Sequence, residues 1–384
     1  MSIFSNKSKN LGLNLFGSNI SSLLAVLLFL GSSIGQLMAL DDPSASAAAG
    51  GPGAGDAGTS REIPDKALYN LLRAAVDAKD LVKFSKILHE DRGSDFWNYK
   101  VKKNLLLCTI VSKNPQAHKM VKLLLDNGAN VDMLNDKDVN GETVIMVAAG
   151  SKNEQVPEIM KMLLRAGADV NVVDKSNWTP LMFAAESQNA NASKIVKLLL
   201  KAGAGTNINQ SNVNNYTALM LAAGSENEQA LPIVAQLARI SDIDMHASNR
   251  CGYTALFCAA MLRNRTAASM VERLLKAGAD PNVMVHDTVV LDFAIKQANL
   301  KMVKVLLDHG ANPDVLSWQA AKLIEVYQGE KYYKLQDIGA VRHEIALAIL
   351  DKRGVKLTID DSKDDSKRKR DAADESDHKR RRRG

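Results

Sequence analysis

The chain has 384 residues, 46% of them hydrophobic and only 5% aromatic, so a large core must be packed through aliphatic and small side chains. The net charge of +6 is concentrated: nine basic and four acidic residues lie between Lys367 and Arg383, which leaves the body near neutral and excludes a broad basic nucleic-acid-binding face there. Three cysteines, Cys108, Cys251 and Cys258, are odd in number and lack paired spacing, so no disulfide framework is indicated.

Residues 1–40 read as a leader. Lys7 and Lys9 precede an uncharged stretch whose most apolar part is Leu23–Leu30, followed by small residues. This resembles a secretory signal peptide, with cleavage after Gly35 or Ala39. A buried helix or an uncleaved membrane anchor are the alternatives, although the apolar part is shorter than the ~20 residues a span needs. Residues 41–62, rich in Ala, Gly, Pro and Ser, read as a flexible linker.

From residue 63 the chain becomes periodic. In Asp174–Asn207, Thr179 caps a short helix, Pro180 suits its first position, and Leu181, Ala184 and Ala185 form a small apolar face. A second helix carries Ile195, Val196, Leu198, Leu199 and Leu200 and stops at Gly203. The first half recurs at Asp138–Ala149, Asn215–Ala223 and Cys251–Ala260. The second recurs at Leu123–Asn130, Met162–Asn171, Leu274–Asp280 and Leu306–Asn312. These T-P-L-x-x-A-A and L-L-x-x-G-A-[DN] signatures resemble ankyrin repeats. The resemblance implies an all-α solenoid of about seven helix-turn-helix and hairpin repeats over residues 63–314. A helical C-terminal cap at 315–353 and disordered ends complete the expected architecture.

Within the array, Ala67–Ala75 and Leu81–Leu88 read as a degenerate capping pair, and Asn104–Ile110 replaces the second inner helix. The fifth repeat lacks the Gly-Ala pair at Arg239–Asp244, so its outer helix must stop differently. The seventh replaces Thr-Pro-Leu with Val289-Val-Leu291. From Thr143 to Thr179, Thr217 and Thr254 the steps are 36, 38 and 37 residues, against about 33 for the family. The added residues fall between the paired helices, where Asn114, Asn153, Asn189, Asn227 and Asn264 recur. Asn tolerates left-handed backbone and bonds its own turn, so these segments read as enlarged turns.

After Asp314, Leu316–Gln328 and Ile338–Leu350 read as a closing helix pair, with Trp318, Tyr327, Tyr332 and Tyr333 nearby. Residues 354–384 form a polar tail. Its basic clusters, Lys367, Arg368, Lys369 and Arg370, then Lys379, Arg380, Arg381, Arg382 and Arg383, resemble a bipartite nuclear localisation signal. A basic arm that binds nucleic acid or anionic membrane by charge, or a solubilising tail, are the alternatives.

No catalytic grouping survives inspection. His343-Glu344 begins like a zinc-protease helix, but position 347 is Leu, and there is no phosphate-cradling loop or Cys-x-x-Cys. His246 and His286 read as solvated hairpin residues. No metal or cofactor site is indicated, and the chain is expected to be a non-enzymatic monomer that binds a protein partner.

The ankyrin resemblance implies a concave face of hairpin tips and exposed inner-helix edges, toward which the residue before each helix-starting Thr points. Those residues are Glu142, Trp178, Tyr216 and Tyr253, and the three aromatics form a ladder. Either they grip the partner or each ring packs on its own hairpin. Neighbouring candidates are Lys175, Ser176, Val213, Asn214, Arg250 and Cys251 on hairpins, with Glu186, Ser187, Met261 and Leu262 at inner-helix ends. Met146, Met182 and Met220 stand where the family usually has His, and are expected to pack in the core or to line an adaptable surface.

An export leader and a nuclear signal together suggest a secreted, host-interacting ankyrin effector, with an import receptor as a second partner. The alternative is a periplasmic or membrane-associated ankyrin protein whose tail binds anionic lipid or nucleic acid.

Overall fold

The computed structural model describes residues 65–90, 99–316 and 340–353. The expected leader, linker and basic tail, including both nuclear-signal clusters, lie outside the described residues. So does the first closing helix beyond Leu316, with Trp318, Tyr327, Tyr332 and Tyr333.

Seven helix pairs follow one another, each made of an inner and an outer helix. They are Asp65–Asp77 with Leu81–Glu90, Tyr99–Val111 with Ala117–Asp126, Val144–Gly150 with Val156–Arg165, and Pro180–Glu186 with Ala192–Lys201. The last three are Ala218–Ala223 with Ala230–Leu237, Ala255–Met261 with Ala267–Lys276, and Val290–Lys296 with Leu300–Asp308. Inner helices pack on inner helices and outer on outer along the whole series. The helix Ala340–Lys352 packs against Leu300–Asp308 and buries Ile345, Ala346, Ile349 and Leu350. Among the described residues no helix is long and apolar enough to cross a membrane.

The inner helices are short because their caps are specific. The Thr179 hydroxyl accepts from the Met182 amide at 3.2 Å, Thr217 from Met220 at 3.3 Å and Thr254 from Phe257 at 3.4 Å. Each thereby satisfies one of the donors a helix start leaves open. In the seventh repeat Val289 offers no oxygen. There the Asp292 carboxylate, three residues into the helix, reaches back to accept from the Val289 amide at 3.2 Å.

The alanine pairs 148/149, 184/185, 222/223 and 259/260 are sealed, which lets neighbouring inner helices approach closely. Met146, Met182 and Met220 are sealed too, so they pack in the core and line no adaptable surface. The outer helices bury one stripe each, as with Ala192, Ile195, Val196 and Leu199. The second, third, fourth, sixth and seventh end on left-handed glycines, for example Gly203 at φ 100°. The fifth has none, and after Leu237 it leaves through two successive turns, Ile240 N to Leu237 O at 3.0 Å and Ile243 N to Ile240 O at 3.2 Å.

The enlarged turns between paired helices do something other than adopt left-handed backbone. Among the described residues the non-glycine positive-φ positions are Lys79, Asn177, Asn215, His286, Asp287 and Ala298, and none of the recurring turn asparagines is among them. Instead four of them, Asn114, Asn153, Asn189 and Asn227, join one repeat to the previous one. The Asn189 amide donates to Ser151 O and Asn153 O, both at 2.8 Å, while its carbonyl accepts from Asn191 N at 2.7 Å. Asn227 donates to Ser187 O at 2.6 Å and Asn189 O at 3.3 Å, Asn153 to Ser112 O at 2.6 Å, and Asn114 to Val76 O at 2.9 Å. The serine two residues earlier supports each turn, as when Ser187 Oγ accepts from Asn189 N at 3.2 Å. In the seventh repeat, whose turn is short, Gln297 takes over by donating to Ala260 O at 2.9 Å.

A buried carbonyl left without its donor costs about 1–3 kcal/mol. Asn189→Ala is therefore expected to lower unfolding stability by about 2–3 kcal/mol in urea titration. Asn189→Asp should lose at least as much, because a carboxylate oxygen would face two carbonyls. Asn264 bonds only within its own turn, so Asn264→Ala should cost about 1 kcal/mol.

Candidate functional site

The hairpins that join successive repeats are built on one side-chain device. An Asp or Asn at the hairpin base accepts two backbone amides, two and four residues on. Asp138 takes Asn140 N and Glu142 N, both at 2.8 Å; Asp174 takes Ser176 N at 2.8 Å and Trp178 N at 2.7 Å. Asn212 takes Asn214 N at 2.9 Å and Tyr216 N at 3.0 Å, and Asn249 takes Cys251 N at 2.9 Å and Tyr253 N at 3.0 Å.

The tip residue before the last of these amides is left-handed: Gly141, Asn177, Asn215 and Gly252. At Gly141 the requirement is doubled, since an added Cβ would sit 2.8 Å from the Lys175 amide. Adjacent hairpins are joined through Lys175 N to Asn140 O at 3.0 Å, Val213 N to Ser176 O at 3.0 Å and Arg250 N to Asn214 O at 3.2 Å. The residue before each Thr cap is thus held by its own amide in every repeat.

Three columns of side chains follow from this register. Immediately before the cap stand Glu142, Trp178, Tyr216 and Tyr253. Four residues after it stand Val147, Phe183, Leu221, Cys258 and Phe293, all half-buried. Seven after it stand Gly150, Glu186, Gly224, Met261 and Lys296. The first and second columns meet directly at Trp178, whose ring lies 5.3 Å from Phe183; Tyr253 and Phe293 are joined through the sealed Phe257, which stacks on Tyr253 at 5.1 Å and meets Phe293 edge-on at 5.0 Å. Trp178 and Tyr253 therefore lean on the fold while keeping part of their surface open.

The remaining sequence-derived candidates divide by exposure. Lys175, Val213, Asn214, Arg250 and Cys251 are exposed on hairpins, while Ser176, Glu186, Tyr216 and Met261 are half-buried. Glu142, Ser187 and Leu262 are buried, at 7%, 6% and 6% exposure, and offer a partner little surface. Ser187 serves the turn of Asn189 and Asn227. The middle column was missed in the sequence, although counting four residues on from every Thr cap would have found it. His286 sits exposed on a left-handed tip, and His246 is exposed just before its hairpin.

The electrostatics are uneven. Burial, and then the Asp138 and Asp174 carboxylates, push the Glu142 carboxyl up to about 7. Burial alone pushes Glu186 up to about 7. Burial also raises Asp174 against the lowering effect of the Trp178 and Ser176 amides. The Cys258 thiol is pushed up to about 12 by burial, so it stays protonated and unreactive at neutral pH.

A carboxyl whose folded pKa lies above its unfolded value contributes stability that is complete below the unfolded pKa and lost as pH rises through the folded one. For Glu142 and Glu186 the loss should fall between about pH 4.5 and 7. Thermal melts of Glu186→Gln should match the native chain at pH 4 and exceed it at pH 8 by about 2–4 °C, the shift that ~1 kcal/mol produces in an array of this size.

A family model described as "Ankyrin repeats (3 copies)" matches residues 105–212, 152–233 and 219–317. No curated protein matches the chain. Solved structures similar to it include an ankyrin repeat domain from Acinetobacter baumannii AYE, 28% identical, with a TM-score of 0.44, covering 54% of this chain and 98% of that one. Another is the ankyrin repeat protein EF0377, 21% identical, with a TM-score of 0.41, covering 62% of this chain and 97% of that one. With the family model spanning more than half of its length and the hairpin, cap and glycine geometry repeating in register, this chain belongs to the ankyrin repeat family.

Proposed function

We propose that the chain is a non-enzymatic scaffold that holds a protein partner along the inner-helix face, the face the family makes concave. Ankyrin repeats are generally protein–protein interaction modules. The observation that supports this use of the face is its line of half-exposed apolar side chains. Phe183, Leu221, Cys258 and Phe293 run along it beside Trp178, Tyr216 and Tyr253. Large aromatic and aliphatic groups held rigidly at part exposure bury much area on contact at low entropy cost.

Affinity capture by the full chain from a cell extract, read by mass spectrometry, tests the reading. Replacing Tyr216 and Leu221 together by Ser should reduce capture of the specific partner about 10-fold or more. Lys197→Ser with Lys201→Ser on an outer helix should leave it unchanged. Equal capture by the inner-face variant, with its melting transition intact, would reject the assignment.

We also infer export through the leader and, after delivery to a eukaryotic cell, nuclear entry through the tail. The support is in the sequence: Leu23–Leu30 behind Lys7 and Lys9 at one end, and two basic clusters separated by eight residues at the other. N-terminal sequencing of the secreted protein should begin at Gln36 or Leu40. A fluorescent reporter fused to residues 361–384 should accumulate in nuclei, and an evenly spread reporter would remove the nuclear step.

A further inference from the structure

The inner-helix face carries two carboxyls that the fold does not use. Some acids elsewhere in the array have cations: Glu158 meets Lys161 at 2.7 Å, Glu272 meets Lys276 at 2.5 Å and Asp136 meets Lys103 at 2.6 Å. Glu186 makes neither a hydrogen bond nor an ion pair, and no charged group shifts its titration. The Glu142 carboxyl is likewise unbonded, and the charges that act on it, Asp138 and Asp174, are of its own sign. The Glu186 side chain is half-buried and open to solvent on one side, whereas Glu142 is buried.

The surroundings of Glu186 are shaped to admit something. The equivalent positions on the two neighbouring inner helices are Gly150 and Gly224, so the carboxyl stands between two places without a side chain. Phe183, one helical turn earlier on the same face, borders the Gly150 notch; a Cβ added at Gly150 would lie 3.5 Å from its ring. Trp178 lies against Phe183, and Leu221 and Tyr216 follow in the next repeat. Between Glu142 and Met261 the three columns contain two acids and no base. Of the cations on this side, Lys175 and Arg250 sit out on hairpin tips, Lys137 is engaged with Val173 O at 2.7 Å, and Lys296 lies over the Phe293 ring in the last inner helix.

We propose that this face holds an apolar peptide segment bearing an arginine or lysine, whose cation enters beside Glu186 and pairs with its carboxylate. The proposal rests on the reading of the inner-helix face as the binding surface and names the chemistry of what it binds. A partly desolvated carboxylate with no internal counter-ion gains most when a partner both dries the site and supplies the opposite charge. An acidic segment would be repelled there. Arginine fits best, because its planar guanidinium can pair with the carboxylate and stack on the Trp178 or Phe183 ring.

The test begins with a phage-displayed random 12-residue peptide library selected on the full chain. Selected peptides should combine apolar residues with at least one Arg or Lys. Replacing that Arg by citrulline should weaken binding about 10-fold. Glu186→Gln should weaken the Arg peptide by a similar factor and leave the citrulline peptide unaffected, in fluorescence polarisation with each pair.

Peptides that lose binding on Tyr216→Ser with Leu221→Ser, yet carry no base or bind Glu186→Gln equally, overturn the cation assignment and leave the binding face standing. Peptides indifferent to the Tyr216 and Leu221 changes, or no enrichment at all, overturn both. Displacement of the selected peptides by a synthetic Lys367–Arg383 peptide at equal affinity would assign the site to the chain's own tail. Self-association in sedimentation that vanishes in Glu186→Gln would assign it to a second copy. Either result overturns the proposal.

Discussion

No helix pair in this array can bury its own apolar surface. An inner helix such as Pro180–Glu186 has two turns and seals Leu181, Met182, Ala184 and Ala185 only because Val144–Gly150 and Ala218–Ala223 lie against it. Stability is therefore a property of interfaces between repeats, each repeat touching its neighbours. The sealed alanine pairs set how close those interfaces are. In the middle of the array the turn asparagines then fix the interfaces at one end and the hairpin amides at the other. In both places a side-chain amide or backbone donor of one repeat meets a carbonyl of the repeat before it.

That arrangement explains how the chain carries repeats of 36 to 38 residues without loosening. A longer connection between paired helices adds backbone donors and acceptors that need partners. Here the Ser-x-Asn sequence supplies them: serine receives the asparagine's own amide, the asparagine carbonyl receives the amide two residues on, and its NH2 crosses to the preceding repeat. The extra length is thus converted into inter-repeat contact. The seventh repeat shows the converse, since its short turn relies on Gln297 for the crossing bond and on Asn299 to cap the next helix at Met302.

Much of this was legible residue by residue. Thr179, Pro180, Gly203 and the Leu-Leu runs each specify a local conformation, and local chemistry is what a sequence displays. The asparagine spacing was visible too, but its purpose was not. The partner of Asn189 lies 36 and 38 residues away, and nothing near Asn189 distinguishes a left-handed turn residue from a crossing donor. The site divides in the same way. Trp178, Tyr216 and Tyr253 stood out by type, whereas Val147, Phe183, Leu221, Cys258 and Phe293 are ordinary core types whose half-exposure depends on which side of a two-turn helix remains uncovered. Glu142 reads as a surface residue, and only the packing of the Asp138 and Asp174 hairpins places it below the surface.

The position of Glu186 follows from this division of labour. Within one inner helix, residues two, three, five and six past the cap are committed to neighbouring repeats, while those four and seven past it are released from that duty. Selection for folding would favour a neutral group at the half-buried seventh position, as Gly150, Gly224 and Met261 illustrate; Lys296, the other charged member, is exposed. A carboxyl there, pushed up to about 7 by burial, titrates close to physiological pH, and no internal cation offsets the cost of its charged form. Such a group weakens the free protein and strengthens only a complex that brings the missing charge. Its cost to the fold and its use in recognition are therefore consequences of the same desolvation.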